Sequence, residues 1–140
     1  MMTHMSEDEA RALLRRGRVA RLGCMVDGDP FIVPVNYFFE DDCVYVHSLP
    51  GQKIAALRAH PRACLQVDEI EDICQWRSVL ASGAYQELSN PEERARVLNE
   101  ILKRFPMLTP IEAAIAQDAA PLQVIVFRIK IEKISGVREI

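Results

Sequence analysis

The chain has 140 residues, 49% hydrophobic and 26% charged, the balance of an ordinary globular domain. At this length one domain buries roughly two thirds of its unfolded surface, so no disulfide or metal is needed to hold it. Lys and Arg number 17 against 20 Asp and Glu, a formal net charge of -3, which argues against a general nucleic-acid binder, since that needs a dense basic face.

The one basic cluster, Arg11, Arg15, Arg16, Arg18 and Arg21, reads as a solvated helix face and its exit. Cys24, Cys43, Cys64 and Cys74 form no C-x-x-C pair and match no zinc spacing. Cys24, Cys43 and Cys64 sit among apolar residues, as free thiols do, and the reducing cytoplasm is the expected compartment. Glu7, Asp8 and Glu9 near the start leave no apolar signal-peptide core, and no apolar run nears the ~20 residues of a membrane span.

Ser6 and Glu9 form a capping box that opens a short helix with Ala10, Leu13 and Leu14 on one face, closed by Gly17. Val19 to Val26 and Phe31 to Phe39 are rich in β-branched and aromatic residues, and Asp27-Gly28 between them signals a hairpin. Glu40-Asp41-Asp42 turns into Val44-Tyr45-Val46. Pro50-Gly51 then introduces a helix with Ile54 and Leu57 buried, stopped at His60-Pro61. Ala63 to Val67 is a strand, and Glu69 to Asp72 an acidic loop. Arg77 to Leu88 is a long strand in which Gly83 marks a bulge or a close backbone approach. Asn90-Pro91-Glu92-Glu93 starts a helix with Leu98, Ile101, Leu102 and Phe105 buried, ended by Pro106. Thr109-Pro110-Ile111-Glu112 starts another. In Leu122 to Ile134, Phe127, Ile129 and Ile131 alternate with Arg128, Lys130 and Glu132, the period of a half-buried strand. The expectation is one mainly β domain over residues 1–140: six antiparallel strands closed into a barrel, with peripheral helices.

Three segments could carry chemistry. In His47-Ser48-Leu49-Pro50-Gly51-Gln52-Lys53 a strand gives way to a helix start, where free N–H groups and the positive dipole end favour an anion. Ser48 and Lys53 would suit a phosphate monoester there; alternatively, Ser48 simply caps the helix and Lys53 lies in solvent. In Phe31-Ile32-Val33-Pro34-Val35-Asn36-Tyr37, Pro34 cannot donate to a β ladder. Asn36 is a polar residue in an apolar run, and its amide could pair with the imide edge of a flavin ring or be satisfied by backbone. In Gln75-Trp76-Arg77-Ser78-Val79, Arg77 could grip a phosphate and Ser78 could bond phosphate, ribityl or ring atoms. Trp76 suits core or interface packing. Among the histidines, His4 reads as tail, His60 as a helix C-terminal charge, and His47 alone adjoins a candidate site.

Several strings resemble the pyridoxamine 5′-phosphate oxidase-like family, most closely its nitroimidazole-resistance (Nim-type) branch. They are Arg18-Val19-Ala20-Arg21-Leu22-Gly23, Asp29 to Tyr37, Val46-His47-Ser48 with Gly51 and Lys53, Trp76-Arg77-Ser78-Val79, and Gly83. The resemblance runs from about Ser6 to the last strand. It implies an FMN-binding split barrel that forms a homodimer with the cofactor between subunits. Lys53 and the Ser48–Gly51 turn would then hold the FMN phosphate. Val35 and Asn36, beside Pro34, would meet the isoalloxazine edge, and Ser78 and Val79, next to Arg77, would approach from the neighbouring strand. His47 matches a histidine placed near the flavin, where it could supply a proton. Arg138 has no accompanying Arg-x-His, so the resemblance does not extend to vitamin B6 synthesis. The expected function is a flavin oxidoreductase passing electrons from a nicotinamide nucleotide to a small acceptor such as a nitro-aromatic. The alternatives are a non-catalytic module of the same fold holding flavin (FMN or FAD), heme or a deazaflavin, and a barrel that has lost its cofactor and serves only for interaction.

Overall fold

The computed structural model describes residues 1–105 and 124–140. The chain order is β1 (Met2–His4), α1 (Glu7–Arg16), β2 (Val19–Val26), β3 (Asp29–Asn36), β4 (Phe38–Glu40), β5 (Cys43–Ser48), α2 (Gln52–Ala59), β6 (Arg62–Asp72), β7 (Gln75–Glu87), α3 (Pro91–Arg104) and β8 (Ile125–Glu139). The helix expected from Thr109 and the stop at Pro106 lie outside the described residues.

Local chemistry accounts for most boundaries. The Ser6 hydroxyl accepts from Glu9 N–H at 3.1 Å while the Glu9 carboxylate reaches back to Ser6, completing the capping box. Gly17 ends α1 in an extended conformation, so a left-handed cap is not its purpose. Space is: a Cβ there would collide with the Tyr37 hydroxyl oxygen and stand 2.8 Å from Val67 Cγ1. Asp27 (φ 50°) and Gly28 (φ 82°) supply the two positive-φ residues of the tight β2–β3 hairpin. Gly83 meets both expectations. The β7–β8 register shifts between Ser82 and Gly83, and a Cβ at Gly83 would collide with the Lys130 carbonyl.

The strands form one antiparallel sheet of order β3-β2-β6-β7-β8-β5-β4, with β1 added to the end of β8. Among the described residues there are eight strands rather than six. Met2–His4 pairs with Val137–Glu139, and the run expected as one strand over Phe31–Phe39 is divided at Tyr37. Upstream of Tyr37 the chain pairs with β2; downstream it pairs with β5. Tyr37 anchors the crossing through its hydroxyl, which donates to the Leu14 carbonyl at 2.6 Å, and its N–H, which donates to the Arg18 carbonyl at 3.0 Å.

Two apolar clusters lie on opposite faces of the curved sheet. The inner one joins Leu22, Val35, Tyr37, Val44, Val46, Leu65, Val79, Phe127 and Ile129 to Leu13 and Leu14 of α1 and Ile54 and Leu57 of α2. The outer one joins Phe38, Cys43 and Tyr45 to Val97, Leu98 and Ile101 of α3. β5 is therefore buried on both sides, which explains its continuous apolar run. Each fully buried aliphatic side chain contributes about 1.5–3 kcal/mol relative to exposure. Among the described residues, no helix is long and apolar enough to cross a membrane.

Candidate functional site

Side-chain alternation places the expected residues without ambiguity. Val35, Tyr37 and Phe39 all belong to the inner cluster, so the inside–outside phase persists through the change of partner. Asn36 and Phe38 consequently face outward. Phe38 pairs with Tyr45 across β4 and β5, and their rings stack 5.0 Å apart. One step along the same face stand Asn36 on β3 and His47 on β5, which bring two of the three segments together. β3 and β5 are in contact across the seam where the sheet changes partner. Asn36 is half-buried, and its side chain makes no hydrogen bond among the described residues. Pro34 is exposed opposite Arg21, on the free edge of β3, where a missing N–H is tolerated. Val35 points into the core.

The turn from β5 into α2 forms the second part. Ser48 does not cap the helix. Its hydroxyl donates to the Leu49 carbonyl at 2.9 Å, and α2 begins at Gly51 with no side-chain cap and no acid in its first turn. The first N–H groups of α2 are thus available for an anion. A Cβ at Gly51 would meet no atom within 4 Å, so the approach is open. Lys53 is half-buried rather than in solvent, and no carboxylate pairs with it among the described residues. Burial pulls its pKa below the usual lysine range, opposed by the nearby Cys24 thiol. Burial likewise pushes the Cys24 thiol up, against the pull of Lys53.

The third segment is divided by the sheet. Ser78 faces outward, its hydroxyl accepting from the Gln66 amide at 2.9 Å, and Gln66 also donates to Asp68 at 2.9 Å. Arg77 and Val79 lie on the opposite face. Val79 is fully buried in the inner core, and Arg77 pairs across strands with Glu69 and Arg138 toward α1. Three strand spacings, about 14 Å, separate β7 from β3. Within one chain Ser78 therefore does not join Asn36 and His47, and Lys53 lies near Cys24, which pairs with Phe31 rather than with the Asn36 end of β3.

Sequence reasoning missed one feature. A cleft of about 570 Å³ lies between α2 and the β2–β3 hairpin. Its only sequence signal is the alanine spacing Ala55, Ala56 and Ala59, which leaves one side of α2 without bulk.

Fold and site together define a split barrel: one antiparallel sheet opened between β3 and β5, plugged by α2, with a polar seam at the opening. A family model described as pyridoxamine 5′-phosphate oxidase matches residues 6–138, and the chain belongs to the pyridoxamine 5′-phosphate oxidase-like family. An uncharacterized protein of Rhizobium meliloti (strain 1021) is 42% identical over 84 residues, 60% of this chain and 56% of that relative, so the match spans little more than half of the relative's length. The crystal structure of an FAD-binding protein from Mesorhizobium loti is 31% identical, with a TM-score of 0.82 over 100% of this chain and 99% of that one. A proposed 5-nitroimidazole antibiotic resistance protein from Bacteroides thetaiotaomicron has a TM-score of 0.76 at 18% identity over 99% of this chain and 87% of its own. At that identity it shares the fold alone.

Proposed function

We propose that this chain is a flavoprotein that grips the FMN moiety of its cofactor and works as a small oxidoreductase of the cytoplasm. The observation that carries this reading is Lys53: a half-buried ammonium without a carboxylate, beside an uncapped, acid-free helix start. Leaving such a charge partly desolvated is costly unless an anion completes it. A phosphate monoester satisfies both the ammonium and the first N–H groups of α2. The Asn36 amide offers a donor and an acceptor to the imide edge of the flavin ring. The FAD-binding protein from Mesorhizobium loti supports flavin as the class of cofactor.

When bound, flavin exchanges two electrons between a reduced nicotinamide nucleotide and a small acceptor such as a nitro-aromatic. The protein's own part is to bind, orient and exclude water. Lys53 and the α2 N–H groups fix the phosphate, Asn36 fixes the ring edge, and the imidazole of His47, on the same face, supplies a proton to the reduced acceptor.

We further propose that a homodimer completes the site. Ser78 faces outward about 14 Å of sheet away from Asn36, so a second copy is the simplest way to set it against the same cofactor. Ile32 and Leu80, 68% and 51% exposed on the intervening outer face, suit burial between copies.

The test is the absorption spectrum and mass of the co-purifying ligand, followed by anaerobic addition of NADPH. A two-band flavin spectrum that bleaches supports the oxidoreductase. A flavin that stays oxidised with every nicotinamide nucleotide makes the protein a binding module. A colourless protein that ignores added FMN overturns the reading. Ultracentrifugation showing a flavin-loaded monomer refutes the shared site.

A further inference from the structure

We propose that the cleft between α2 and the β2–β3 hairpin binds the adenosine 5′-phosphate arm of a dinucleotide. This rests on the flavin reading and extends it, because the cleft adjoins the phosphate turn at two points. Along α2, the lining residue Gln52 precedes Lys53. Along β2, the lining residue Met25 follows Cys24, the thiol that Lys53 approaches. An anion held at the start of α2 therefore has an outlet on each side. One leads back along the turn toward Ser48 and His47 at the end of β5, the other into the cleft.

The shape and chemistry of the cleft suit a planar base. One wall is the alanine side of α2, from Ala55 and Ala56 to Ala59. The other is Met25 and Val26 of β2, and the cleft ends at Gly28. From Gln52 to Ala59 the helix runs about 10 Å. The result is a slot of about 570 Å³ with small, mostly apolar walls, within the range that takes a cofactor fragment. Met25 is 47% exposed, and its thioether is the kind of polarisable group that packs against an aromatic ring.

Polar groups sit at the ends, where such a ligand carries its own. The Asp27 carboxylate and the Gln52 amide make no hydrogen bond or ion pair among the described residues. Asp27 can accept from an exocyclic amine or from ribose hydroxyls, and Gln52 can meet the phosphate-ribose link. Arg62, at the far rim, is occupied in a two-contact ion pair with Glu132 at 2.5 and 2.8 Å, which leaves the rim near neutral. The slot is therefore suited to the base and sugar, with the charged phosphate left at the helix start.

Two dinucleotide classes carry this arm: FAD and the reduced nicotinamide dinucleotides. The experiment separates them. Apo-protein is titrated with FMN and FAD by flavin fluorescence, and FMN-loaded protein with NADPH and with its nicotinamide mononucleotide counterpart. Ala55→Trp fills the slot from an exposed position on α2. If the slot serves FAD, wild type binds FAD at least about tenfold more tightly than FMN, and Ala55→Trp removes that advantage while FMN affinity stays within about twofold. If it serves the nicotinamide, FAD and FMN bind alike and Ala55→Trp weakens NADPH alone, again by about tenfold. Either pattern supports an adenosine slot. The proposal is overturned if neither dinucleotide gains over its mononucleotide, or if Ala55→Trp weakens FMN as much as FAD. Should the variant not fold, apo wild type is titrated with AMP and followed by methyl resonances. Shifts confined to Met25, Ala55 and Ala59 support the slot, and their absence at saturating AMP refutes it. Failure of the flavin reading itself looks different: wild type then binds no FMN at all.

Discussion

Replacing Lys53 by methionine keeps a linear side chain and removes the charge. If the ammonium holds the flavin phosphate, the lost charge-assisted contact is worth about 1.5–3 kcal/mol, a ten- to hundredfold rise in the Kd for FMN. Lys53 is only half-buried, so the lower end, about tenfold, is the expectation. Riboflavin lacks the phosphate and should change by less than about twofold. The apo-protein responds in the opposite sense. Burial pulls the Lys53 pKa down, so the folded state holds this proton less tightly than the unfolded chain. Stability from this group therefore rises with pH between the lowered pKa and the unfolded value of about 10.4, and at neutral pH the charged group costs stability. Lys53→Met should leave the apo Tm unchanged or raise it. Fluorescence titration with the two flavins, together with thermal melts without ligand, reads all three quantities. Equal loss for FMN and riboflavin would refute the phosphate assignment. A clear drop in apo Tm would show that the side chain acts as packing instead.

Gly17→Ala should destabilise the fold by about 1–3 kcal/mol, measured by urea denaturation, because the new methyl must displace the Tyr37 hydroxyl or Val67; an unchanged midpoint would mean that the α1–β4 corner yields freely. His47→Gln should keep flavin content while slowing turnover of the acceptor and flattening its pH profile, since glutamine retains one hydrogen bond but no ionisable proton; an unchanged profile assigns the proton to water. Glu87 is held below the usual carboxylate range first by the Arg58 guanidinium, with the Tyr85 hydroxyl adding to it. Its contribution is present above the unfolded pKa of about 4.3 and lost as pH falls through the lower folded value. Glu87→Gln should make stability less sensitive to acid over that window, and identical acid limbs for variant and wild type would contradict the pairing.

The parts of the fold legible in the sequence are those set by local chemistry. Ser6 and Glu9, Asn90 and Pro91, Asp27 and Gly28, and Gly83 each impose a backbone feature through their own atoms, and each feature is present. The division at Tyr37 was not legible. Val35, Tyr37 and Phe39 keep the same inside phase across it, so the apolar pattern is blind to a change of partner strand. Gly17 shows the same limit in another form. Its position marks the end of α1, but the reason it must be glycine is Tyr37, twenty residues on. The turn from β5 into α2 was half legible. Pro50-Gly51 announces the change from strand to helix, whereas the absence of a cap on α2 depends on the Ser48 hydroxyl turning to the Leu49 carbonyl.

The seam at Tyr37 also explains why a polar site is affordable in so apolar a barrel. A closed barrel would use the β3 edge for a ladder, and Pro34 could not then take part without breaking it. Here the edge is left open because the chain itself crosses to β5, and α2 supplies Ile54 and Leu57 to close the hydrophobic interior beneath. Covalent continuity and helix packing thus do the work of missing strand pairs. Asn36, at the last pair of the β2–β3 ladder, keeps its amide off the sheet, and Lys53 lies one residue before the buried Ile54 that plugs the core. The apolar plug, Ile54, and the proposed phosphate contact, Lys53, are consecutive residues of one helix. A change that loosens the plug, such as Ile54→Ala, should therefore cost both stability, about 2–5 kcal/mol, and phosphate affinity. A change in the contact, such as Lys53→Met, should cost affinity alone. If Ile54→Ala lowered the Tm but left FMN affinity intact, the coupling of plug to contact would be wrong, and the turn would hold its shape without α2 seated in the barrel.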